Sequence, residues 1–173
     1  MKAEVFNDYF LTFDELVEKM EVEHVYRTDK ELVNQSIFQQ AKNDPRCKFT
    51  LANNGCMRPY VVITDPIFED MNTKIGFLVC VYPGTLKQIS IYEAIAPNEY
   101  RNYIHDGFNL GDYPLDINLN ELINKVKDSY GVCPICGKRV GPKNLHGVGF
   151  AGCCCEECLP AAKKEFEYPG WYN

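Results

Sequence analysis

The 173 residues predict an α+β fold, an antiparallel sheet meander packed with helices, followed by a small cysteine-rich module. Three observations carry this. Apolar residues recur at helical spacing behind capping residues near positions 12, 28 and 118. Apolar, β-branched runs of strand length follow one another closely between residues 47 and 92. Two Cys-x-x-Cys pairs stand near the C-terminus, where the helical and strand patterns have ended.

The first helix is predicted from Thr12-Phe13-Asp14-Glu15, a capping box in which threonine and glutamate satisfy each other's backbone N–H groups. Phe13, Leu16, Val17 and Met20 follow at helical spacing, and Glu15 and Glu18 turn an acidic face to solvent. Thr28 and Glu31 repeat the signature, with Val33, Ile37 and Ala41 on one face and Asp44-Pro45 as the stop.

The strand region begins with weak alternation over Cys47 to Ala52 and continues with the β-branched run Tyr60 to Thr64. Ile75 to Tyr82 is apolar at nearly every position and therefore reads as a central strand covered on both faces. Tyr82-Pro83-Gly84-Thr85 has proline and glycine where a type II turn takes them, and Gln88 to Tyr92 then alternates as a half-buried strand. Helices are expected on one face of this sheet. Residues 105–117, rich in Gly, Asp, Asn and Pro, read as a loop. A third helix follows, capped by Asn118 and Glu121, striped by Leu119, Leu122, Ile123 and Val126, and stopped by Gly131. The expected division is residues 1–130 and 131–173. Val132 alone separates Gly131 from the first cysteine of the module, so the module is expected to dock on the main domain.

Hydrophobic residues make up 46% and charged residues 24%, an ordinary globular composition. No charged, apolar leader opens the chain, and no apolar run approaches the ~20 residues that span a bilayer. Nine cysteines without a leader predict a reducing, cytoplasmic setting in which thiols serve as metal ligands or buried apolar groups. Thirteen lysines against five arginines suggest a prokaryotic or phage origin. The net charge of -6 divides into -7 over residues 1–130 (13 basic, 20 acidic) and +1 over residues 131–173 (5 basic, 4 acidic). That balance lacks the basic footprint of a nucleic-acid binder and favours a basic protein partner.

Cys133 and Cys136 sit in Val-Cys-Pro-Ile-Cys-Gly, which has the form of a zinc knuckle. Pro134 fixes φ between the ligands, and Gly137 permits the turn that aims backbone N–H groups at the thiolates. Cys155 and Cys158 form the second pair, ahead of a helix running to about Phe166 in which Pro160 is tolerated in the first turn. Gly147, Gly149 and Gly152 suit a hairpin between the two pairs. Knuckle, hairpin and helix make the layout of a treble clef. Cys153 and Cys154 are alternatives to Cys155, and His146 to one thiolate; the x-x spacing favours Cys155. A rubredoxin-like iron site would take a glycine after both pairs, whereas Leu159 follows the second. One structural zinc ion is the expected cofactor, and four protein thiolates leave it no open position for substrate.

Over roughly residues 130–168 these motifs resemble the four-cysteine finger of DksA/TraR-type transcription regulators. In that family the finger braces a long coiled-coil hairpin that reaches into RNA polymerase. Residues 1–130 read as α+β instead, so the resemblance implies zinc and a treble clef rather than the family's function.

Other candidate chemistry is sparse. His105-Asp106 reads as a surface polar pair, Cys80 as core, and Cys47 and Cys56 as loop thiols. Phosphate-loop, dinucleotide, serine-hydrolase and zinc-protease motifs are absent. The leading expectation is a non-enzymatic zinc protein that binds another protein as adaptor, regulator or inhibitor. Its candidate contacts are Trp171 and Tyr172 in the aromatic tail, with Glu15 and Glu18. The first alternative is a nucleic-acid-binding regulator using Lys138, Arg139, Lys143, Lys163 and Lys164. The second is an enzyme whose cleft gathers Arg58, Tyr60, Tyr92, Glu93, Arg101 and His105.

Overall fold

Five strands form one antiparallel meander in the computed structural model, which describes residues 10–22, 27–53, 57–64, 74–97, 99–100, 103–141, 144–147 and 153–166. They are β1 (Cys47–Asn53), β2 (Met57–Ile63), β3 (Lys74–Tyr82), β4 (Gln88–Ile95) and β5 (His105–Pro114), in that order across the sheet. The chain divides into two compact units, residues 1–124 and 125–173, and each is described by itself.

In the first unit, β3 lies at the middle of the sheet, and Phe77, Leu78, Val79, Cys80 and Val81 are all buried. That is the physical content of its unbroken apolar run: both faces are covered. On one face the Phe49 ring sits between Phe13 of helix α1 (Phe13–Val22), edge-on at 5.5 Å, and Phe38, stacked at 6.2 Å. Leu16 and Met20 of α1 are buried, whereas Val17 of the expected stripe is 37% exposed. The capping box forms as read: Thr12 N–H donates to Glu15 Oε1 at 3.1 Å and Glu15 N–H to Thr12 Oγ1 at 3.2 Å. The opposite face buries Tyr60, Val62, Leu78, Cys80, Ala94 and Ile104.

The structure corrects the sequence reading in four places. The helix expected over residues 28–41 is three short pieces, α2 (Arg27–Lys30), a 3-10 turn (Glu31–Asn34) and α3 (Ser36–Ala41), broken at Gln35 with φ -66° and ψ 148°. Leu32, Val33, Ile37, Phe38 and Ala41 are all buried. At about 100° per residue a continuous helix would spread them over about 240°, so the break rephases the chain to face the core. Gln39 Nε2 donates to the freed Val33 carbonyl at 2.7 Å. Secondly, helices are not confined to one face, because Asp29 of α2 reaches Arg58 (3.5 Å), which shares the face of Tyr60.

Thirdly, the connection after β3 is not a type II turn at Gly84. The left-handed residue there is Lys87, at φ 47°. Lastly, much of the expected loop 105–117 is the edge strand β5. Its Gly, Asp and Asn content is that of an edge kept from pairing further. Register shifts interrupt its ladder with β4, Gly111 has φ 138°, and Asn109 Oδ1 takes the Gly111 N–H at 2.7 Å. A Cβ at Gly107 would lie 2.6 Å from Ile95 Cδ1, so glycine also permits close strand approach.

Helix α4 (Leu119–Ser129) forms where its cap and stripe place it. Asn118 Oδ1 accepts the Asn120 N–H, Gln40 Oε1 accepts the Leu119 N–H, and Leu119, Leu122, Ile123 and Val126 are buried. No described helix is long and apolar enough to cross a membrane.

Candidate metal centre

The second unit begins in the last turns of α4. Gly131, in the left-handed conformation at φ 74°, ends the helix as its sequence position requires. Val132 and Arg139 then form an antiparallel bridge that closes residues 133–138 into a tight loop. Within it Cys133 N–H donates to Lys138 O and Gly137 N–H to Cys133 O, both at 2.9 Å. Gly137 has φ 75° and open space around its Cβ direction, so glycine is needed there for its backbone conformation rather than for room.

The second pair arrives through a hairpin. Strands β6 (Leu145–Gly147) and β7 (Cys153–Cys155) pair antiparallel, with Leu145 opposite Cys155 and His146 opposite Cys154. Cys155 is the last residue of β7, a 3-10 turn (Glu156–Cys158) carries Cys158, and α5 (Leu159–Phe166) follows with Pro160 in its first turn.

The Sγ atoms of Cys133, Cys136, Cys155 and Cys158 all lie within 4.8 Å of one another. Across the two pairs, Cys136 Sγ and Cys155 Sγ are 3.7 Å apart. A tetrahedral ion with metal–sulfur bonds of about 2.3 Å requires sulfurs about 3.8 Å apart, so the donor set fits such an ion in number, type and spacing. Cys133 and Cys155 are buried, Cys158 is half-buried and Cys136 is exposed. These four cysteines are therefore close enough to hold one metal ion.

The surroundings favour negative sulfur at the deepest position. Burial pushes the Cys133 thiol up, but backbone N–H groups of Cys136, Cys155 and Ile135 outweigh it and hold the thiol at about 6. One of these contacts is Cys155 N–H to Cys133 Sγ at 3.3 Å. Cys158, which shares its proton with Cys155 and is also desolvated, is pushed up to about 12. A divalent ion held here would favour the thiolate at all four positions. Lys138 adds positive charge close by: its ammonium pairs with Glu157 at 2.9 Å, and the Cys136 and Cys155 sulfurs help hold its proton.

The alternatives weighed from sequence fall outside the cluster. Cys154 is fully buried beside Cys133 and Ala162 but is not among the four clustered sulfurs, and burial is the first cause raising its thiol. Cys153 and the exposed His146 are likewise not among them.

Of the residues considered for nucleic acid, Lys138 is paired with Glu157, and Arg139 donates to the carbonyls of Tyr130 (2.8 Å), Lys127 (3.2 Å) and Asp128 (3.1 Å). Lys163 is exposed on α5, Lys164 lies on the same helix, and Lys143 lies outside the described residues. Of the candidate partner contacts, Glu15 and Glu18 are exposed, with Glu15 engaged in its capping box; Trp171 and Tyr172 lie outside the described residues.

The suggested cleft assembles only in part. Arg58, Tyr60 and Tyr92 share a sheet face with Cys80 and Tyr82. Arg58 donates to Cys80 Sγ at 3.6 Å and to Val81 O at 3.3 Å, and its guanidinium lies over the Tyr82 ring at 5.4 Å. Glu93 follows Tyr92 in β4 and projects to the other face. His105 Nδ1 is 3.3 Å from the Asp106 carbonyl oxygen, so this ring approaches backbone rather than the Asp106 carboxylate. Arg101 and Cys56 lie outside the described residues. Cys80 is buried as expected, whereas Cys47, read as a loop thiol, is the buried first residue of β1. The Arg58–Cys80–Tyr82 contacts had no linear signal; only the period-2 placement of these residues on paired strands brings them together.

No protein-family model, curated protein or solved structure matches the chain. The likeness of residues 130–168 to the DksA/TraR-type finger thus rests on its cysteine motifs.

Proposed function

We propose that this chain is a zinc protein in which a four-cysteine treble-clef finger, built on Cys133, Cys136, Cys155 and Cys158, is a structural site, and that the protein works by binding another protein. The observation that carries the zinc reading is four sulfurs within 4.8 Å of one another, contributed by two separate Cys-x-x-Cys turns. The order of knuckle, hairpin and helix in the second unit supports the treble clef. Thiolate-only, four-coordinate sites are characteristic of zinc, which needs no redox partner and accepts tetrahedral sulfur. Cys133, Cys136, Cys155 and Cys158 would hold the ion, which would supply a cross-link and no reactive position.

Protein binding is supported by a closed site with no place for substrate, by the net charge of -6, and by the exposed acidic surface of α1 at Glu15 and Glu18. The test is capture from nuclease-treated lysate, with the zinc-loaded chain as bait and Cys155→Ser/Cys158→Ser as control, read by mass spectrometry. One stoichiometric protein retained by the zinc-loaded form supports the reading. Retention of nothing but nucleic acid, released by salt, overturns it.

A further inference from the structure

We infer that Arg139 is a positioning residue that couples metal binding at the first knuckle to the C-terminal turn of α4; the inference rests on the zinc reading above. The last carbonyls of any α-helix have no intrahelical partner. At this end of α4 one side chain takes two helix carbonyls and that of the following residue: Arg139 Nη2 donates to Lys127 O at 3.2 Å and Asp128 O at 3.1 Å, and Nη1 to Tyr130 O at 2.8 Å. A planar, permanently charged fork suits this task, because it reaches several acceptors at once and places positive charge at the negative end of the helix dipole. The other two carbonyls of the final turn are also met: Ser129 Oγ donates to Val126 O at 3.3 Å and Val132 N–H to Ser129 O at 3.2 Å.

Arg139 can reach these carbonyls because the knuckle loop is closed. Its backbone is bridged to Val132, immediately before Cys133, and Val140 N–H and Gly141 N–H both donate to Gly131 O, at 3.0 and 2.9 Å. The loop between Val132 and Arg139 contains both ligands of the first pair. Of its side chains only the ligand Cys133 is buried; Pro134, Ile135 (50%), Cys136 and Lys138 are exposed, so apart from that ligand side-chain burial gives the loop little reason to stay closed. Chelation by Cys133 and Cys136 would hold it closed and so hold Arg139 in place. Linkage makes the coupling reciprocal: whatever zinc does for the helix end, the helix end does for zinc affinity.

The test uses the full chain with zinc as the probe. Amide hydrogen exchange of residues 126–131 is measured with zinc and after chelation, for the native chain, Arg139→Gln and Lys125→Gln, alongside zinc affinity by competition with a chromophoric chelator. Lys125→Gln removes the same charge from an exposed side chain of α4. The expected result is that zinc slows exchange at 126–131 in the native chain. Arg139→Gln is expected to abolish that protection and to weaken zinc binding about tenfold, within the range usual for coupled sites. Lys125→Gln should change neither. If Arg139→Gln does not fold, Arg139→Lys, which keeps the charge without the fork, is judged by the same two readouts. Zinc uptake that leaves exchange at 126–131 unchanged, or native zinc affinity in the Arg139 variant, overturns the inference alone. A native chain that takes up no zinc overturns it together with the zinc reading.

Discussion

Removing the metal should unfold the second unit and leave the sheet standing. The aliphatic side chains clustered around Cys133, Cys154 and Cys155 are Ala162, buried, and Val140, Leu145 and Leu159, partly buried. Full burial of an aliphatic side chain of that size contributes about 1.5–3 kcal/mol, so three incomplete burials contribute about 4 kcal/mol together. A four-thiolate zinc ion contributes about 10–16 kcal/mol, roughly three times as much. The first unit has an apolar core of its own: Phe38, Phe49, Phe77, Leu16 and Ile91 are all fully buried within it. The assay is limited proteolysis with mass-spectrometric mapping, before and after excess chelator, with metal loss verified independently. New cleavage sites should appear within residues 131–166, while β1 to β4 stay protected. An unchanged cleavage pattern after verified metal loss would refute the reasoning, because packing alone would then hold the module.

Three further outcomes follow from the same structure. Cys155→Ser should abolish stoichiometric zinc, whereas Cys153→Ala and Cys154→Ala should retain it, since only Cys155 of the three lies among the four clustered sulfurs; metal analysis of the purified variants decides. Phe49→Ala should destabilise the first unit by about 3–5 kcal/mol, because its ring is buried between Phe13 and Phe38; urea denaturation measures it. Burial, with the Asp44 carboxylate adding to it, pushes the Cys47 thiol from 9.0 up to about 12. Folding therefore favours the protonated thiol, and that contribution is complete below pH 9 and lost as pH climbs from 9 towards 12. Urea midpoints should fall over that interval less steeply for Cys47→Ala than for the native chain, and parallel slopes would contradict the assignment.

How much of this was legible in the sequence depended on how local each cause is. The Thr12–Glu15 box, the α4 stripe, Gly131 and the knuckle glycine Gly137 act within a few residues, and each is found where the sequence puts it. The unbroken run Phe77 to Val81 announced a strand covered on both faces because burial leaves no polar side to alternate with. The misses were decided by distant partners. β5 is a strand because β4 offers it a ladder, although its own glycines and aspartates argue for a loop. The helix around Gln35 breaks because five apolar residues have to face one core. Two cysteine pairs at ligand spacing made the four-cysteine cluster visible at once. From sequence Arg139 enters only the alternative nucleic-acid reading, because nothing in its neighbours reveals that the end of α4 lies within its reach.

The central claim is that four thiolates of this chain share one zinc ion, and X-ray absorption at the zinc edge on the zinc-loaded protein tests it most directly. The account predicts one ion per chain with a shell of four sulfurs at about 2.3 Å, lost in Cys155→Ser/Cys158→Ser. A shell containing nitrogen or oxygen, or no tightly held zinc in protein prepared under reducing conditions, would contradict it.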